Sequence, residues 1–249
     1  MTVAFVHGNP ETSAIWGPLV AQLRSRGVDD IVTLSPPGFG APVPDGFGAT
    51  QDDYRDWLVG EVVALGGDVD LVGHDWGAGH VLGVVAARPD LVRSYTTDCA
   101  GLVHPDYRWH DMAQAWQTPE VGEQVVAAMG AGTVEERTAT YVGLGIDAAA
   151  AADMAVAFDD AMADAILRLY RSAAQPAMAE LGERLRTTEL PPGLFVVATE
   201  DHYAGDTTTA HEVAAALGAS TVEVDLGHWW MFAGAATVAA ALVAHWASA

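Results

Sequence analysis

Asp75, Asp201 and His228 are the residues of this chain whose types and order could do hydrolytic chemistry. Asp75 is the apex of Gly73-His74-Asp75-Trp76-Gly77, which follows the apolar run Val69 to Val72 and precedes a small, apolar stretch from Gly79 to Ala87. A buried strand, a sharp bend and a helix form the context of a nucleophile elbow. Glycines two residues either side of the apex allow close packing while the apex residue is held in a strained conformation. A carboxylate at that apex is already an anion at neutral pH and needs no base to activate it. It suits displacement at a saturated carbon, which leaves an alkyl ester on the protein. It suits acyl transfer poorly, because attack on an ester carbonyl would give an anhydride. His228 could then activate a water against the ester. Asp201 could hold the imidazole in one tautomer and stabilise its cation. Each residue taken alone also fits an ordinary turn or a strand-end side chain.

Strands and helices alternate around these positions. Val3–Val6, Ile31–Leu34, Val69–Val72, Leu91–Thr97, Leu194–Ala198 and Thr221–Val224 read as strands. Pro18–Arg26, Thr50–Leu65, Thr209–Leu217 and Ala235–Trp246 read as helices, and Glu11–Trp16 as a loop or helix start. Such alternation predicts βαβ units and a parallel sheet. His7-Gly8-Asn9-Pro10, Ala198-Thr199-Glu200-Asp201 and Gly227-His228-Trp229 all fall at carboxyl ends of strands, where open α/β sheets place ligands. From 101 to 190 the pattern changes. Helical segments are predicted at Trp109–Gln117, Val121–Met129, Val134–Val142, Ala148–Ala157 and Ala161–Arg171. The expected division is a core of residues 1–100 and 191–249 with a helical cap at 101–190.

The chain has 249 residues, 51% of them hydrophobic, enough for one large domain with an insertion. Its net charge is −22, and all eleven basic residues are Arg. Nucleic acid and anionic membrane surfaces are therefore not expected as partners. The lack of Lys excludes Schiff-base chemistry and a P-loop lysine. The single cysteine, Cys99, excludes an intramolecular disulfide. The sequence opens Met-Thr and enters a strand at once, so no signal peptide is expected and a cytoplasmic location is. The Ala-rich end reads as a helix packed on the sheet rather than a membrane span. His104, His110, His202 and His211 form no HxH or HExxH pattern, and no metal is expected.

The four strand-end motifs together resemble the α/β-hydrolases, and the Asp elbow narrows the resemblance to the haloalkane dehalogenase and epoxide hydrolase branches. The resemblance implies an oxyanion hole from the backbone amides of Asn9 and Trp76. It implies no cofactor, a small apolar substrate with water, and a monomer or homodimer. In dehalogenases of this kind, the HGNP asparagine amide and the Trp beside the nucleophile bind the leaving halide. Asn9 and Trp76 match both, and two N–H donors aimed where charge develops would stabilise the transition state. The segment from Trp109 also resembles a dehalogenase cap entrance. Epoxide hydrolases instead open the ring with cap tyrosines, and Leu169-Tyr170-Arg171 resembles that stretch, with Tyr141 or Tyr107 as positional candidates for a second. The matched pair favours hydrolytic dehalogenation of small haloalkanes. Epoxide opening is the alternative, and a non-catalytic or other small-molecule hydrolase of the same fold a further one. Some dehalogenases carry the acid after the strand that follows the elbow helix, which makes Asp98 the alternative to Asp201, with Asp98→Asn otherwise expected to be mild. Two strands that normally precede HGNP are missing, and the chain is shorter than typical members. The expectation is six strands, all parallel, in the order 31–34, 2–6, 69–72, 92–97, 194–198, 221–224, with 31–34 an edge.

Overall fold

Short runs of β-branched and aromatic residues bounded by Gly, Pro and Asp build the sheet, as the alternation predicts. The computed structural model describes residues 2–249. The strands are β1 (Val3–Val6), β2 (Ile31–Leu34), β3 (Val69–Gly73), β4 (Val92–Thr97), β5 (Gly193–Ala198) and β6 (Ser220–Val224). They form one six-stranded sheet in the order β2-β1-β3-β4-β5-β6. Every pairing is parallel. β1 and β3 are buried along their whole length, whereas β2 is half-buried and pairs only with β1. β3 is not purely apolar: buried Asp70 pairs with Arg93 and accepts from Ser94 Oγ at 2.5 Å.

The core helices are α1 (Gly17–Arg24), α2 (Gln51–Ala64) and α3 (Trp76–Ala87) before the insertion. α2 starts on a capping box, with the Thr50 and Asp53 side chains each bonded to the other's backbone. α3 begins three residues earlier than its apolar stretch predicts. The Asp75 carbonyl already accepts from Ala78 N at 3.0 Å and Gly79 N at 3.3 Å, so the apex of the bend opens the helix. The segment between β4 and β5 carries α4 (Asp111–Gln117), α5 (Val121–Gly130), α6 (Val134–Gly143), α7 (Ala148–Ala157), α8 (Asp160–Ser172) and α9 (Ala177–Thr187). α4 starts at Asp111 rather than Trp109, because His110 turns out and its ring accepts from Ala113 N. α9 lies outside the segments that the sequence pattern predicts. Its Met178, Leu181 and Leu185 share one buried face, and it packs on α3 rather than over the cleft. α10 (Thr207–Ala216), α11 (Trp230–Ala233) and α12 (Ala235–Trp246) complete the chain. No helix of the described residues is long and apolar enough to cross a membrane.

The bend at Asp75 depends on missing side chains. A Cβ at Gly77 would lie 2.0 Å from the Val6 carbonyl oxygen and 2.8 Å from that of His7. Those atoms are backbone of β1 and of the residue that follows it and cannot swing away, so α3 would have to lift off the sheet. Gly77→Ala is therefore expected to lower stability by about 1–3 kcal/mol or more, as overpacking does. A urea titration tests this, and an unchanged midpoint would contradict it.

Candidate active site

Asp75 has φ 50° and ψ −120°, a strained left-handed backbone for a non-glycine residue. That strain turns its carboxylate toward the carboxyl end of the sheet. A cavity of about 330 Å³ opens there, lined by Asp75, His228, Asn9 and Tyr170 and closed by Trp116, Met112, Met129, Tyr141 and Leu144 from the inserted helices. Gly8 makes the approach possible: a Cβ on it would fall 2.3 Å from Asp75 Oδ2. The Asn9 backbone N–H donates to that same oxygen at 3.0 Å. Burial pushes the Asp75 carboxyl up to about 6, against the pull of His228. The second expected amide, Trp76 N–H, makes no bond to this carboxylate among those of the described residues.

His228 and Asp201 arrive from the turns after β6 and β5. His228 Nδ1 lies 2.8 Å from Asp201 Oδ2, and Nε2 lies 3.8 Å from Asp75 Oδ1. The other Asp201 oxygen accepts from Tyr203 N at 2.7 Å. Burial and the His74 cation oppose a charge on His228. Asp201 and Asp75 outweigh them and hold it above its ordinary value. Burial pushes Asp201 up, but its bond to His228 wins and keeps it below the usual carboxylate range.

Asp98, the alternative acid, does not serve His228. Its Oδ2 is bonded to His74 Nδ1 at 2.5 Å and accepts from the Trp230 indole at 2.7 Å, and its Oδ1 accepts from Asp75 N at 3.0 Å. It buttresses the bend from below. The reason is register: β4 ends at Thr97 beside Gly73, which sets Asp98 under the apex instead of beside the imidazole.

Tyr170 falls on the inward face of α8, where Met162, Ala165, Ile166, Leu169 and Tyr170 recur at helical spacing. Its ring is packed by three indoles: Trp116 at 4.6 Å, Trp76 at 5.3 Å and Trp109 at 5.5 Å. The Asn9 side-chain amide donates to its hydroxyl oxygen at 3.4 Å, and the Trp76 indole faces the same group edge-on, ring centres 5.3 Å apart. The Asn9 amide that the sequence suggests for a halide is thus bonded to the Tyr170 oxygen, with the Trp76 indole facing the same group. Burial and the Asp75 charge push this phenol well above its ordinary value, so it keeps its proton. Trp109 stacks behind Trp76 at 5.7 Å and supports the wall rather than lining the cavity. Tyr141 does line it.

Glu11, His74, Tyr203, Trp229 and Trp230 belong to the site, although the sequence assigns none of them a role. Tyr203 and Trp229 rings pack 5.0 Å and 4.9 Å from His228. Glu11 is fully buried at 0% exposure, and nothing in a lone acid after HGNP signals that.

The model of the Alpha/beta hydrolase family matches residues 3–241. A haloalkane dehalogenase from Mesorhizobium japonicum is 30% identical over 138 residues, covering 50% of this chain and 42% of that protein. The chain thus aligns with less than half the length of that relative. The solved haloalkane dehalogenase from Bradyrhizobium elkani superposes with a TM-score of 0.74 at 21% identity, over 100% of this chain and 91% of that one. The solved E-2-(acetamidomethylene)succinate hydrolase gives 0.73 at 20% identity, over 98% and 90%. Folds of this similarity thus carry different chemistries, and the family is what the matches share. From the parallel sheet, the strained bend and a family match over nearly its whole length, the chain belongs to the α/β-hydrolase family.

Proposed function

We propose that this chain hydrolyses small apolar alkyl electrophiles through an ester on Asp75, and that epoxides opened to diols are the class its site fits best. One observation carries the choice of class. The Tyr170 hydroxyl is held where the Asn9 amide and Trp76 indole converge, on the wall of the cavity that Asp75 faces. Its oxygen accepts from the Asn9 amide, so its own proton is left for the substrate.

In the first step an Asp75 oxygen attacks a ring carbon, a carbon–oxygen bond of the epoxide breaks, and the departing alkoxide takes the Tyr170 proton. The Asn9 and Trp76 donors stabilise the phenolate that forms. In the second step His228 takes a proton from a water whose oxygen attacks the ester carbonyl. The Asn9 backbone N–H holds the developing oxyanion, which is the oxygen it already bonds at 3.0 Å. Collapse releases the diol, with the second hydroxyl taking the proton from His228. The carboxyl proton left on Asp75 returns to Tyr170. Water is thus consumed once and no cofactor is needed. In this scheme the inserted helices α4–α8 act as the cap, and their Met, Trp and Leu side chains select an apolar substrate.

A second reading is dehalogenation, favoured by the two N–H donors themselves and by the likeness over half the chain to a haloalkane dehalogenase. It requires a halide to take the place of the phenol oxygen. Tyr170→Phe separates the two. Epoxide opening loses its proton donor and is expected to slow by about 10²–10⁴. Dehalogenation gains a vacated pair of donors, so halide release should hold or rise. The measurement is diol from styrene oxide and bromide from 1-bromobutane for both proteins. Bromide release by the wild type with no diol, undiminished in Tyr170→Phe, would overturn the choice of epoxides.

A further inference from the structure

Beneath Asp75 lies a second charged cluster that the proposed steps do not use. Glu11 and His74 are fully buried and Asp98 nearly so. His74 stands between the two acids, Nε2 at 3.1 Å from Glu11 Oε1 and Nδ1 at 2.5 Å from Asp98 Oδ2. A carboxylate beside each ring nitrogen, one hydrogen-bonded at Nδ1 and one in ion-pair contact at Nε2, favours the cation, which carries a proton on both. The same two carboxylates accept from the frame of the site. Glu11 takes Gly8 N at 2.8 Å and the Trp229 indole at 2.7 Å; Asp98 takes Asp75 N at 3.0 Å and the Trp230 indole at 2.7 Å. The HGNP loop, the nucleophile's own amide and the residues after His228 are all tied to this one cluster. The His74 ring centre lies 4.6 Å from that of His228.

We propose that His74, clamped as a cation between Glu11 and Asp98, is a positioning residue for the second half of the reaction: it keeps His228 unprotonated once Asp75 has become an ester. The inference rests on the ester chemistry proposed above. While Asp75 is ionised, it and Asp201 hold a proton on His228 against burial and His74. Ester formation removes the anion that faces His228 Nε2 at 3.8 Å and leaves its charge on the Tyr170 oxygen. Asp201 is then the carboxylate still bonded to the imidazole, and the neighbouring cation opposes the proton on it. The base is released at the step that needs it. The remaining groups near His228 add no cation. Burial leaves His7 and His110 below their ordinary value and so neutral, and burial pushes the Cys99 thiol up, so it is uncharged.

The test is histidine side-chain NMR in an Asp75→Asn background, whose neutral amide stands in for the ester. His228 should titrate lower there than in the wild type. Adding His74→Gln should raise that titration by about 2–3 pH units, for a unit charge about 5 Å away at an effective dielectric near 20. Adding Glu11→Gln instead leaves His74 paired with Asp98, removes an anion, and should lower it. Loosened packing in one cluster does not give shifts of opposite sign. With Asp75 intact, His74→Gln should also accumulate alkyl ester at neutral pH and clear it at higher pH. No shift in either variant, or shifts of the same sign, overturns the proposal. If His74→Gln does not fold, Glu11→Gln alone decides: a lowered titration supports the proposal and an unchanged or raised one sinks it. The titrations use no substrate, so failure to form an ester counts against the proposed function and leaves the role of His74 to be decided by the titrations alone.

Discussion

His228→Gln should arrest the protein after its first chemical step, with substrate bonded to Asp75. In the proposed scheme the imidazole acts only on the ester, and its Nε2 is 3.8 Å from Asp75 Oδ1, beyond a direct hydrogen bond. The nucleophile needs no help from it, since a carboxylate is an anion once its proton is gone. Burial raises Asp75 to about 6, so ester formation should fall as pH drops through that value. His228 pulls the Asp75 value down, and its loss moves that edge upward. The trap should therefore work best well above pH 6. Mass spectrometry of the peptide carrying Asp75 reads the outcome. An epoxide adds its whole mass, whereas a haloalkane adds its mass less that of the hydrogen halide. The label thus reports the substrate class as well as the mechanism. Turnover should fall by about 10²–10⁴ or more, the range for loss of a general base. Asp75→Asn should show neither label nor turnover. An unlabelled peptide in His228→Gln, with turnover close to wild type, would end the covalent scheme.

The parts of this site that are legible in the sequence are those set by local pattern. Gly73 and Gly77 flank the apex because a Cβ at either would meet backbone, at 2.5 Å for Gly73 and 2.0 Å for Gly77. That constraint is written into five consecutive residues. The sheet order and the pairing of His228 with Asp201 follow from parallel strands whose carboxyl ends share one edge. What stays hidden is set by where side chains aim across the fold. Asn9 and Trp76 are the right residue types for a halide, yet whether they meet an ion or a phenol depends on the register of α8, 94 positions beyond Trp76 at Tyr170. The Glu11–His74–Asp98 cluster draws on loops after three different strands, so no spacing along the chain announces it. α9 escapes sequence reading for a different reason. Its apolar period is present, but charged residues and the Gln175-Pro176 break make it look like the approach to a linker.

The two acids should respond in opposite ways, because each is bonded to different donors. Asp201 accepts from His228 Nδ1 at 2.8 Å and from Tyr203 N at 2.7 Å, in a part-buried turn. In Asp201→Asn the amide can still meet both, but it no longer stabilises an imidazolium and it favours the wrong tautomer. Turnover should fall by roughly 10⁴, the cost of the equivalent change in a Ser triad. The melting point should move little. For Asp98→Asn the mild effect on turnover expected from the sequence should go with a large effect on stability. Three N–H donors converge on its two oxygens: His74 Nδ1 and the Trp230 indole on one, Asp75 N on the other. Asn offers one oxygen and turns its NH₂ toward donors, leaving the buried His74 cation with Glu11 as its remaining carboxylate. Breaking a buried charge pair costs about 3–5 kcal/mol, so Asp98→Asn should be read first in stability. Acid should unfold the protein by the same route. Burial raises Asp98, but His74 outweighs it and holds this carboxyl below the ordinary range. A depressed carboxyl contributes stability above its unfolded value and loses it as pH falls through the folded one, so the wild type should lose this contribution below about pH 4. Asp98→Asn should lack that acid-dependent component, and Asp201→Asn should keep it. Urea midpoints against pH, taken alongside turnover for both variants, give the result. A large fall in turnover with unchanged stability in Asp98→Asn, and the reverse in Asp201→Asn, would exchange the two roles.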